Sequence, residues 1–369
     1  MKKKVILFHH SDNLGGAGVS LLNIYLMLED EYDVKIYVPH DNSPIKKFYN
    51  EKDISTNIIN DNIGMISSYS GGPKLFSRTY FVKLFQIIKT RKTIIDILNR
   101  EKPDLFIINS MTLSWVGKIV QKRGIKSLCF VRETFVNNIG MKVILHHLNK
   151  FFDGVLFISN NDKNTFNCKA KTIGVVYNCV NKKNYIRTLS KSEACSLLGL
   201  NDKAFNILFV GGDSELKGWS IIKNAMRELE DYEIKLIVAG KASLSNYISV
   251  NINYIGEQLK MPIVYTACDL LVFPSTSPHQ ARPAFEAGIM GLPVIISDFK
   301  ETHETISDGI NGLTFEPCDS KALSLAILKL YKDRDLCNRL GQSNYKFCLE
   351  NHEFDTCKVN LLTYLHKII

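Results

Sequence analysis

The segment Asp269–Asp298, DLLVFPSTSPHQARPAFEAGIMGLPVIISD, predicts a strand, a turn, a helix and a second strand in succession. Its apolar run Leu270–Phe273 has the length of a fully buried strand. Prolines and serines follow and indicate a turn. Ala284–Met290 predicts a helix that a glycine and a proline end, and Val294–Ile296 predicts the next strand. This order is a βαβ unit, in which the two strands run parallel.

One carboxylate in this segment stands where ligands bind in such folds. Glu286 is expected in the first turn of the helix, just past the end of the first strand. In open α/β sheets, ligands bind at the carboxyl ends of the strands, near helix N-termini. Glu286 is therefore the first candidate site residue.

The rest of the chain repeats the alternation of strands and helices. Apolar runs predict further strands at residues 5–8, 34–38, 105–108, 127–131, 155–158, 175–177, 207–210, 236–238 and 253–256. Helices are expected between many of them and at 319–331, 333–349 and the carboxyl terminus. Such alternation favours an α/β fold with doubly wound parallel sheets, and 369 residues favour two domains. The polar run at 181–184 is a plausible linker between them.

Composition predicts an ordinary globular protein of a reducing compartment. The chain is 45% hydrophobic and 22% charged, and its apolar runs fall far short of the ~20 residues that span a bilayer. Polar residues from His9 onward cut short the apolar run that follows the basic start, so a strand is favoured over a signal peptide. Nine dispersed cysteines without a CxxC pair indicate ordinary thiols rather than disulfides or a zinc site. We expect a cytoplasmic protein.

Positive charge is concentrated in the first half of the chain. Residues 1–185 hold 27 Lys+Arg against 15 Asp+Glu, a balance of +12, whereas residues 186–369 hold 19 against 22, a balance of −3. The segment 74–102 is basic and amphipathic, which is typical of a helix on an anionic membrane surface and equally of a solvated basic face. Nucleic acid is the less favoured partner, because the aromatic residues sit at core spacing and no nucleic-acid motif is present.

Two glycine-rich turns follow predicted strands. Gly15 and Gly16 come after the first strand, in an arrangement that allows backbone amides to approach a phosphate or sugar, or that only allows tight packing. Gly211 and Gly212 come after strand 207–210, followed by Lys217, whose ammonium can meet a diphosphate. The P-loop pattern is absent, since Lys217 precedes its glycine and no Ser or Thr follows it directly.

Four segments of the second half resemble the C-terminal half of the family 4 retaining glycosyltransferases, which have the GT-B fold. They are VGGDSELKG at 210–218, ACDLLVFPS at 267–275, PAFEAGIMGLPVIISD at 283–298 and DGINGLTFEPCD at 308–319. GGAG at 15–18 and VVYNCVN at 175–181 resemble the N-terminal half more loosely. The resemblance implies two Rossmann-like domains facing a cleft, 1–185 for the acceptor and 186–350 for the donor, with a terminal helix 351–369 that packs back on the first.

The resemblance also implies the ligands and the residues that hold them. The donor would be a nucleotide-diphosphate sugar, with a UDP-sugar favoured, and the acceptor a saccharide or lipid-linked saccharide; no metal or other cofactor is implied. Lys217 would contact the diphosphate and Glu286 the ribose hydroxyls. The remaining expected site residues are Gly16, Gly211, Gly212, Ser275, Ala284 and Phe285 on the donor side, and Gly15, Arg132 and Glu133 on the acceptor side.

Three positions depart from the family pattern. Gly212 replaces an arginine that helps to hold the diphosphate, and Pro278 replaces a glutamate that contacts the donor sugar. Arg132 and Glu133 stand where relatives often have a histidine. Arg282 and His279, in the turn of the lost glutamate, are hypothesised to take over at the diphosphate and the sugar; the alternatives are a surface arginine and a solvated histidine.

The leading functional prediction is a retaining hexosyltransferase of bacterial surface polysaccharide or glycoconjugate synthesis, attached peripherally to the inner face of the plasma membrane. Two alternatives remain open. One is a nucleotide-sugar epimerase on the same fold. The other is a non-catalytic GT-B partner subunit, which the departures at Gly212 and Pro278 favour.

Overall fold

The computed structural model describes residues 2–13, 15–69, 72–241, 251–278 and 281–369. They form two compact units, one of Met1–Asn178 with Cys357–Ile369 and the other of Cys179–Thr356. The predicted domain boundaries were 185 and 350. The polar run at 181–184 lies just inside the second unit, where it contains the short 3-10 turn Lys182–Asn184.

The first unit is a parallel sheet flanked by helices. Its strands are β1 Lys4–Phe8, β2 Asp33–Val38, β3 Thr56–Ile58, β4 Leu105–Ile108, β5 Lys126–Val131, β6 Gly154–Phe157 and β7 Thr172–Val175. Its helices are α1 Gly16–Leu28, α2 Pro44–Asn50, α3 Arg78–Glu101, α4 Gly117–Gln121, α5 Ile139–Phe151 and α6 Asn160–Phe166. The strand order is β3-β2-β1-β4-β5-β6-β7, and every pair is parallel.

The second unit repeats this architecture with a shorter sheet. Its strands are β8 Phe205–Val210, β9 Ile234–Ala239, β10 Ile252–Gly256, β11 Leu270–Phe273, β12 Val294–Ser297 and β13 Leu313–Phe315. Its helices are α7 Lys191–Leu198, α8 Trp219–Arg227, α9 Met261–Ala267, α10 Arg282–Ile289, α11 Ser320–Lys332 and α12 Arg334–Asn351. The order β10-β9-β8-β11-β12-β13 is the Rossmann order, in which chain direction across the sheet reverses between β8 and β11.

The buried strands explain why helices cover both faces of the second sheet. Successive residues of β8 point to opposite faces, so Phe209 packs with Trp219 of α8 while Leu208 packs with Phe273 and Ala284 on the other side. All four residues of β11 are buried. A strand buried on both faces reads as a continuous apolar run, which is why the sequence located it without error.

The last helix, α13 Phe354–Leu365, belongs to the first unit from Cys357 onward. A Cβ at Gly174 of β7 would lie 2.1 Å from the Tyr364 ring, and one at Gly154 of β6 would lie 2.4 Å from Ile368. Because these two glycines have no side chain, the terminal segment can pack closely against β6 and β7.

Two sequence predictions of local structure need correction. The strand expected at 175–177 lies at Thr172–Val175, because these residues pair in register with β6. The helix expected from Ala284 begins at Arg282, so Glu286 is its fifth residue and lies beyond the first turn. Among the described residues, no helix combines the length and the apolar character needed to cross a membrane.

Candidate functional site

The turn between β8 and α8 requires glycine at two positions. Gly212 has a φ of +60°, and a Cβ there would lie 1.8 Å from the carbonyl oxygen of Lys241. Gly218 has a φ of +89°, and a Cβ there would lie 1.8 Å from the carbonyl oxygen of Pro274. Both distances are far inside van der Waals contact, so no side chain fits. The turn is held closely against the residues that follow β9 and β11.

This backbone gives a physical reason for the departure at position 212. An arginine there would need the same Cβ that the Lys241 carbonyl excludes. The backbone conformation of the turn therefore explains why position 212 carries no arginine. Any second cation for a diphosphate must come from another element.

Lys217 supplies a cation at the carboxyl end of β8. It ends the 3-10 turn Glu215–Lys217, and its Cδ lies 3.0 Å from the position that a Cβ of Gly211 would occupy. Its side chain thus lies over glycine backbone. Partial burial lowers the pKa of the Lys217 ammonium, and in the part of the chain that the structure describes this ammonium has no ion-pair or hydrogen-bond partner. A partly desolvated, unpaired cation near the start of α8 favours an anionic ligand.

The segment after β11 is joined to the Lys217 turn by hydrogen bonds. The amide of Thr276 donates to the Leu216 carbonyl at 3.1 Å, and its hydroxyl lies 3.3 Å from the Glu215 carbonyl. Ser275 is fully buried, and its carbonyl accepts from the Ser297 hydroxyl at 2.9 Å. The Ser275 hydroxyl has no hydrogen-bond partner among the described residues. The ends of β8, β11 and β12 therefore meet where the strand order reverses, which is where this fold binds ligands.

Glu286 lies in a buried cluster with Arg282 and two tyrosines. Its two oxygens accept hydrogen bonds from the Tyr265 hydroxyl and from Nε of Arg282, each at 2.8 Å. Burial, and then the charge of Glu286, raise the pKa of Tyr185, whose ring lies 6.3 Å from that of Tyr265 between centroids. A carboxylate offers about four acceptor positions, so Glu286 can still accept from ribose hydroxyls.

The expected role of Arg282 now has a defined starting geometry. The residue begins α10, and its guanidinium is bound to Glu286 one helical turn further on. A contact with a diphosphate would have to use the N–H groups on the outer side of that pair. His279, the other hypothesised replacement, lies outside the described residues.

Ala284 and Phe285 contribute packing in this structure. The Ala284 amide donates to the Ala281 carbonyl at 2.9 Å, and the residue is fully buried. The Phe285 ring is also fully buried and stacks on His352 with 3.7 Å between ring centroids. Their expected place beside the donor stays a prediction. In the structure, both side chains are packed in the interior of the second unit.

In the first unit, Gly15 and Gly16 form the start of α1. The Gly15 carbonyl accepts from the amides of Gly18 and Val19, at 3.0 and 3.2 Å. A Cβ on Gly15 or Gly16 would meet nothing within 4 Å, so these glycines are not needed for packing. Open space beside exposed backbone is compatible with the predicted ligand approach.

Arg132 and Glu133 bind neighbouring protein groups at the carboxyl ends of β4 and β5. Arg132 donates through Nε to Asn109 and through a terminal nitrogen to Asn178, both at 2.8 Å. Glu133 accepts from the Ser110 hydroxyl and from the Met111 amide. Burial raises the pKa of Glu133, and these hydrogen bonds oppose that rise. The pair fixes the loop after β4, and its predicted acceptor role stays a prediction.

Sequence reasoning overlooked the two tyrosines of the Glu286 cluster. Tyr265 lies in α9 and Tyr185 lies before α7, 21 and 101 positions from Glu286 along the chain. Only Tyr265 carried a signal, as a polar-tipped residue in an apolar run just before the first strand of the Asp269–Asp298 segment. A buried carboxylate needs donors, and a nearby tyrosine is a common one.

Residues 193–347 match the family model described as glycosyl transferases group 1. The matched range lies within the second unit and contains Lys217, Arg282 and Glu286. This part of the chain is therefore similar to the group 1 glycosyl transferases.

Two curated relatives of this chain come from different organisms. An uncharacterized glycosyltransferase of Methanocaldococcus jannaschii is 27% identical over 257 residues, 67% of this chain and 65% of that protein. The O-antigen chain mannosyltransferase RfbU of Salmonella typhimurium is 25% identical over 240 residues, 61% of this chain and 63% of that protein. The chain thus spans slightly less than two-thirds of the length of each.

Similarity to solved structures shows that this chain has the GT-B fold. HepE of Anabaena, crystallised with UDP, matches with a TM-score of 0.82 and 17% identity over 100% of both chains. A crystal structure of the same protein with UDP-glucose matches with a TM-score of 0.80 and 18% identity, over 99% of this chain and 100% of that one.

Proposed function

We propose that the chain is a retaining glycosyltransferase that transfers a sugar from a UDP-sugar to a hydroxyl of a saccharide or lipid-linked saccharide. The observation that carries the proposal is the half-buried Lys217 ammonium, which has no partner among the described residues and lies over glycine backbone at the carboxyl end of β8. HepE was crystallised with UDP and UDP-glucose, and RfbU is named an O-antigen chain mannosyltransferase. These names support a UDP-sugar donor and a role in bacterial surface polysaccharide synthesis.

The chemistry divides between Lys217 and Glu286. In the transfer, the bond between the anomeric carbon and the diphosphate oxygen breaks while the acceptor oxygen bonds to that carbon, and the proton of the acceptor hydroxyl passes to the leaving diphosphate oxygen. Lys217 stabilises the negative charge that grows on the leaving diphosphate. The Glu286 carboxylate, which Tyr265 and Arg282 hold in position, accepts hydrogen bonds from the ribose hydroxyls. This contact fixes the donor and thereby positions its anomeric carbon. No step in this scheme requires a metal.

A second candidate, a non-catalytic GT-B subunit, is favoured by one observation. The turn at Gly212 excludes any side chain, so it cannot carry the arginine with which the family holds the diphosphate beside the lysine. Such a subunit would bind no donor, or would bind it without turnover. A nucleotide-sugar epimerase remains the alternative within enzymes.

Proton NMR of the protein with UDP-glucose distinguishes these functions. A retaining transferase is expected to release UDP and α-glucose slowly to water, with the α signal rising before mutarotation gives the β anomer. An intact donor after prolonged incubation would support the non-catalytic subunit. A new sugar configuration at a carbon other than the anomeric one would support the epimerase.

We further propose that α3 attaches the protein to an anionic membrane surface, so that the protein acts at the inner face of the plasma membrane. Phe81, Phe85 and Ile88 follow one another at helical spacing, and Phe85 and Ile88 are 70% and 73% exposed. Basic residues flank this stripe, among them Arg78, Arg91 and Lys92. Exposed aromatic and aliphatic side chains with a basic surround fit the interface of an anionic bilayer.

A further inference from the structure

The first unit contains a cavity of about 360 Å³ that none of the predicted site residues line. It lies beyond the carboxyl ends of β1 and β2, between the turns that follow these strands and the side of α3. Its polar lining includes His10, Asp12, His40, Asn62, Tyr69 and Lys83. The volume is in the range of small-molecule sites, and the carboxyl ends of parallel strands are where such sites occur.

A bound pair holds one wall of the cavity in place. Oδ2 of Asp12 lies 2.7 Å from Nδ1 of His40, and Oδ1 of Asp12 accepts from the His40 amide at 3.1 Å. Both carboxylate oxygens are therefore occupied by the same residue. When Nδ1 donates to Asp12, Nε2 of His40 is an acceptor for a hydroxyl proton.

Two further lining residues carry nitrogen groups with no partner among the described residues. Nδ1 of His10 is buried and makes no hydrogen bond within the described residues. Burial, and then the charge of nearby Lys83, lower the pKa of His10 to about 4, so this imidazole is neutral near pH 7 and can donate from a ring nitrogen. Lys83 of α3 is half-buried, and its ammonium likewise makes no ion pair with the described part of the chain.

The unpartnered nitrogen groups of the cavity favour an anion. No ion pair with the described residues offsets the positive charge of Lys83, whereas both oxygens of the Asp12 carboxylate already hydrogen-bond to His40. The surrounding half of the sequence has a balance of +12. In the tautomer that carries its proton on Nδ1, His10 is a further donor that lowers its free energy by meeting an acceptor.

We propose that this cavity binds a negatively charged oxygen group of the sugar acceptor, a phosphate or a carboxylate, between Lys83 and His10. Nε2 of His40 then accepts a hydrogen bond from a hydroxyl of the same molecule. The proposal rests on the proposed function, because it assumes that the first unit binds the acceptor. It makes the acceptor an anionic saccharide, either one that carries a sugar carboxylate or one that is linked through phosphate.

Equilibrium binding of small anions to the full chain tests the site. Glucuronate and glycerol phosphate are titrated separately in the presence of saturating UDP, which keeps them out of the diphosphate site, and glucose serves as the neutral probe. At least one anion is expected to bind more tightly than glucose, and the tighter one identifies the source of the charge. Binding of glucose as tight as that of both anions would overturn the proposal.

Substitution of the lysine decides whether the cavity is responsible. Lys83→Met keeps the length of the side chain and is expected to weaken anion binding by about tenfold or more, the cost of a charge-assisted hydrogen bond. Lys122→Met, which removes an exposed charge of the same unit away from the cavity, should stay within twofold. Equal affinities in the two variants would overturn the inference and leave the proposed function intact. Failure of UDP itself to bind would contradict the proposed function instead.

Discussion

At the scale of single residues, Gly212 is the position where sequence comparison alone would mislead. An engineer who restored the family's arginine there would place a Cβ 1.8 Å from the Lys241 carbonyl. The turn uses a φ of +60° that glycine adopts without strain. The proposed diphosphate site therefore has one cation fewer in this turn than the family pattern.

Gly212→Ala tests whether the turn excludes side chains at this position, and Gly199→Ala is the control. Gly199 has a similar φ of +66°, but a Cβ there meets nothing within 4 Å. We expect Gly199→Ala to cost roughly 1 kcal/mol of unfolding free energy for its φ alone, and Gly212→Ala about 1–3 kcal/mol more for the clash. Chemical denaturation measures both. Equal losses would show that the turn relaxes easily and that position 212 is open to side chains.

At Arg282, unlike at Gly212, a charged side chain is present, and it is already ion-paired with Glu286. Arg282→Ala removes the charged partner of the buried Glu286 carboxylate and leaves it with neutral tyrosine hydroxyls, Tyr265 at 2.8 Å among them. We expect UDP affinity and turnover to fall by about tenfold or more, because truncation of one partner leaves a buried charge poorly paired. Arg227→Ala, at an exposed position of α8, is the control. A change within twofold in both quantities would refute a role for Arg282 at the donor.

The candidate site could be predicted from the sequence only where a residue stands next to a strand end. Lys217, Ser275 and Glu286 follow strands that their apolar runs identify, so their common location was deducible. The partners of Glu286 were not, because Tyr265 and Tyr185 reach it from other elements across the fold. His10 and His40 lie near strand ends as well, but His10 was interpreted only as part of the polar end of the first apolar run, and His40 was not singled out.

At the scale of elements, the carboxyl end of α3 is tied to the sheet by one carboxylate. Glu101 accepts from Lys35 at 2.7 Å, from the Tyr37 hydroxyl at 2.9 Å and from Nε of Arg100 at 3.1 Å. The hydrogen bond from Lys35, followed by those from Arg100 and Tyr37, lowers the pKa of Glu101 from 4.5 to about 2 against the opposing effect of burial. A carboxyl group with a lowered folded-state pKa stabilises the fold above its unfolded pKa.

Glu101→Gln should therefore reduce stability at neutral pH and make it less sensitive to acid. The contribution of Glu101 is complete above pH 4.5 and is lost as the pH falls through about 2, so the difference between wild type and variant should shrink across that window. Thermal unfolding at a series of pH values measures this. Glu51→Gln, at an exposed position after α2, is the control. A difference that stays constant down to pH 2 would contradict the assigned pKa.

The other end of α3 tests the membrane proposal. Phe85→Ser and Ile88→Ser together remove the two most exposed apolar residues of the stripe without touching its buried face. We expect the double variant to lose most of its sedimentation with vesicles containing anionic lipid, while Leu325→Ser, at a 59% exposed site of α11, sediments like wild type. Wild-type protein that shows no preference for anionic over neutral vesicles would exclude this surface as a membrane contact.

Elements differ in how well the sequence predicts them. β11, buried on both faces, was located at its observed bounds, because a continuous apolar run leaves one solution. β3 was not predicted, since Thr56–Ile58 is a short, half-exposed edge strand with no apolar run to mark it. The helix α3 was predicted, but whether its apolar face is exposed was left open, because periodicity identifies such a face without saying whether anything covers it.

At the scale of the whole molecule, the two units share one topology but differ in charge and in what their strand ends carry. At its strand reversal, the second unit gathers glycine backbone, a buried carboxylate and a lysine that has no partner among the described residues. The first unit gathers histidines and a lysine at a cavity beside its own strand ends. The family relationship and the fold were deducible from four motifs, whereas the acceptor chemistry resides in residues that no motif marks.

The central claim is that Lys217 binds the diphosphate of a UDP-sugar, and calorimetric titration with UDP tests it most directly. Wild-type protein is predicted to bind UDP, and Lys217→Met to bind it about tenfold or more weakly, because a charge-assisted contact to phosphate is lost. Lys321→Met, at an exposed position at the start of α11, should match wild type. Wild-type protein that binds neither UDP nor GDP nor ADP, or a Lys217→Met variant that binds UDP as tightly as wild type, would contradict the claim.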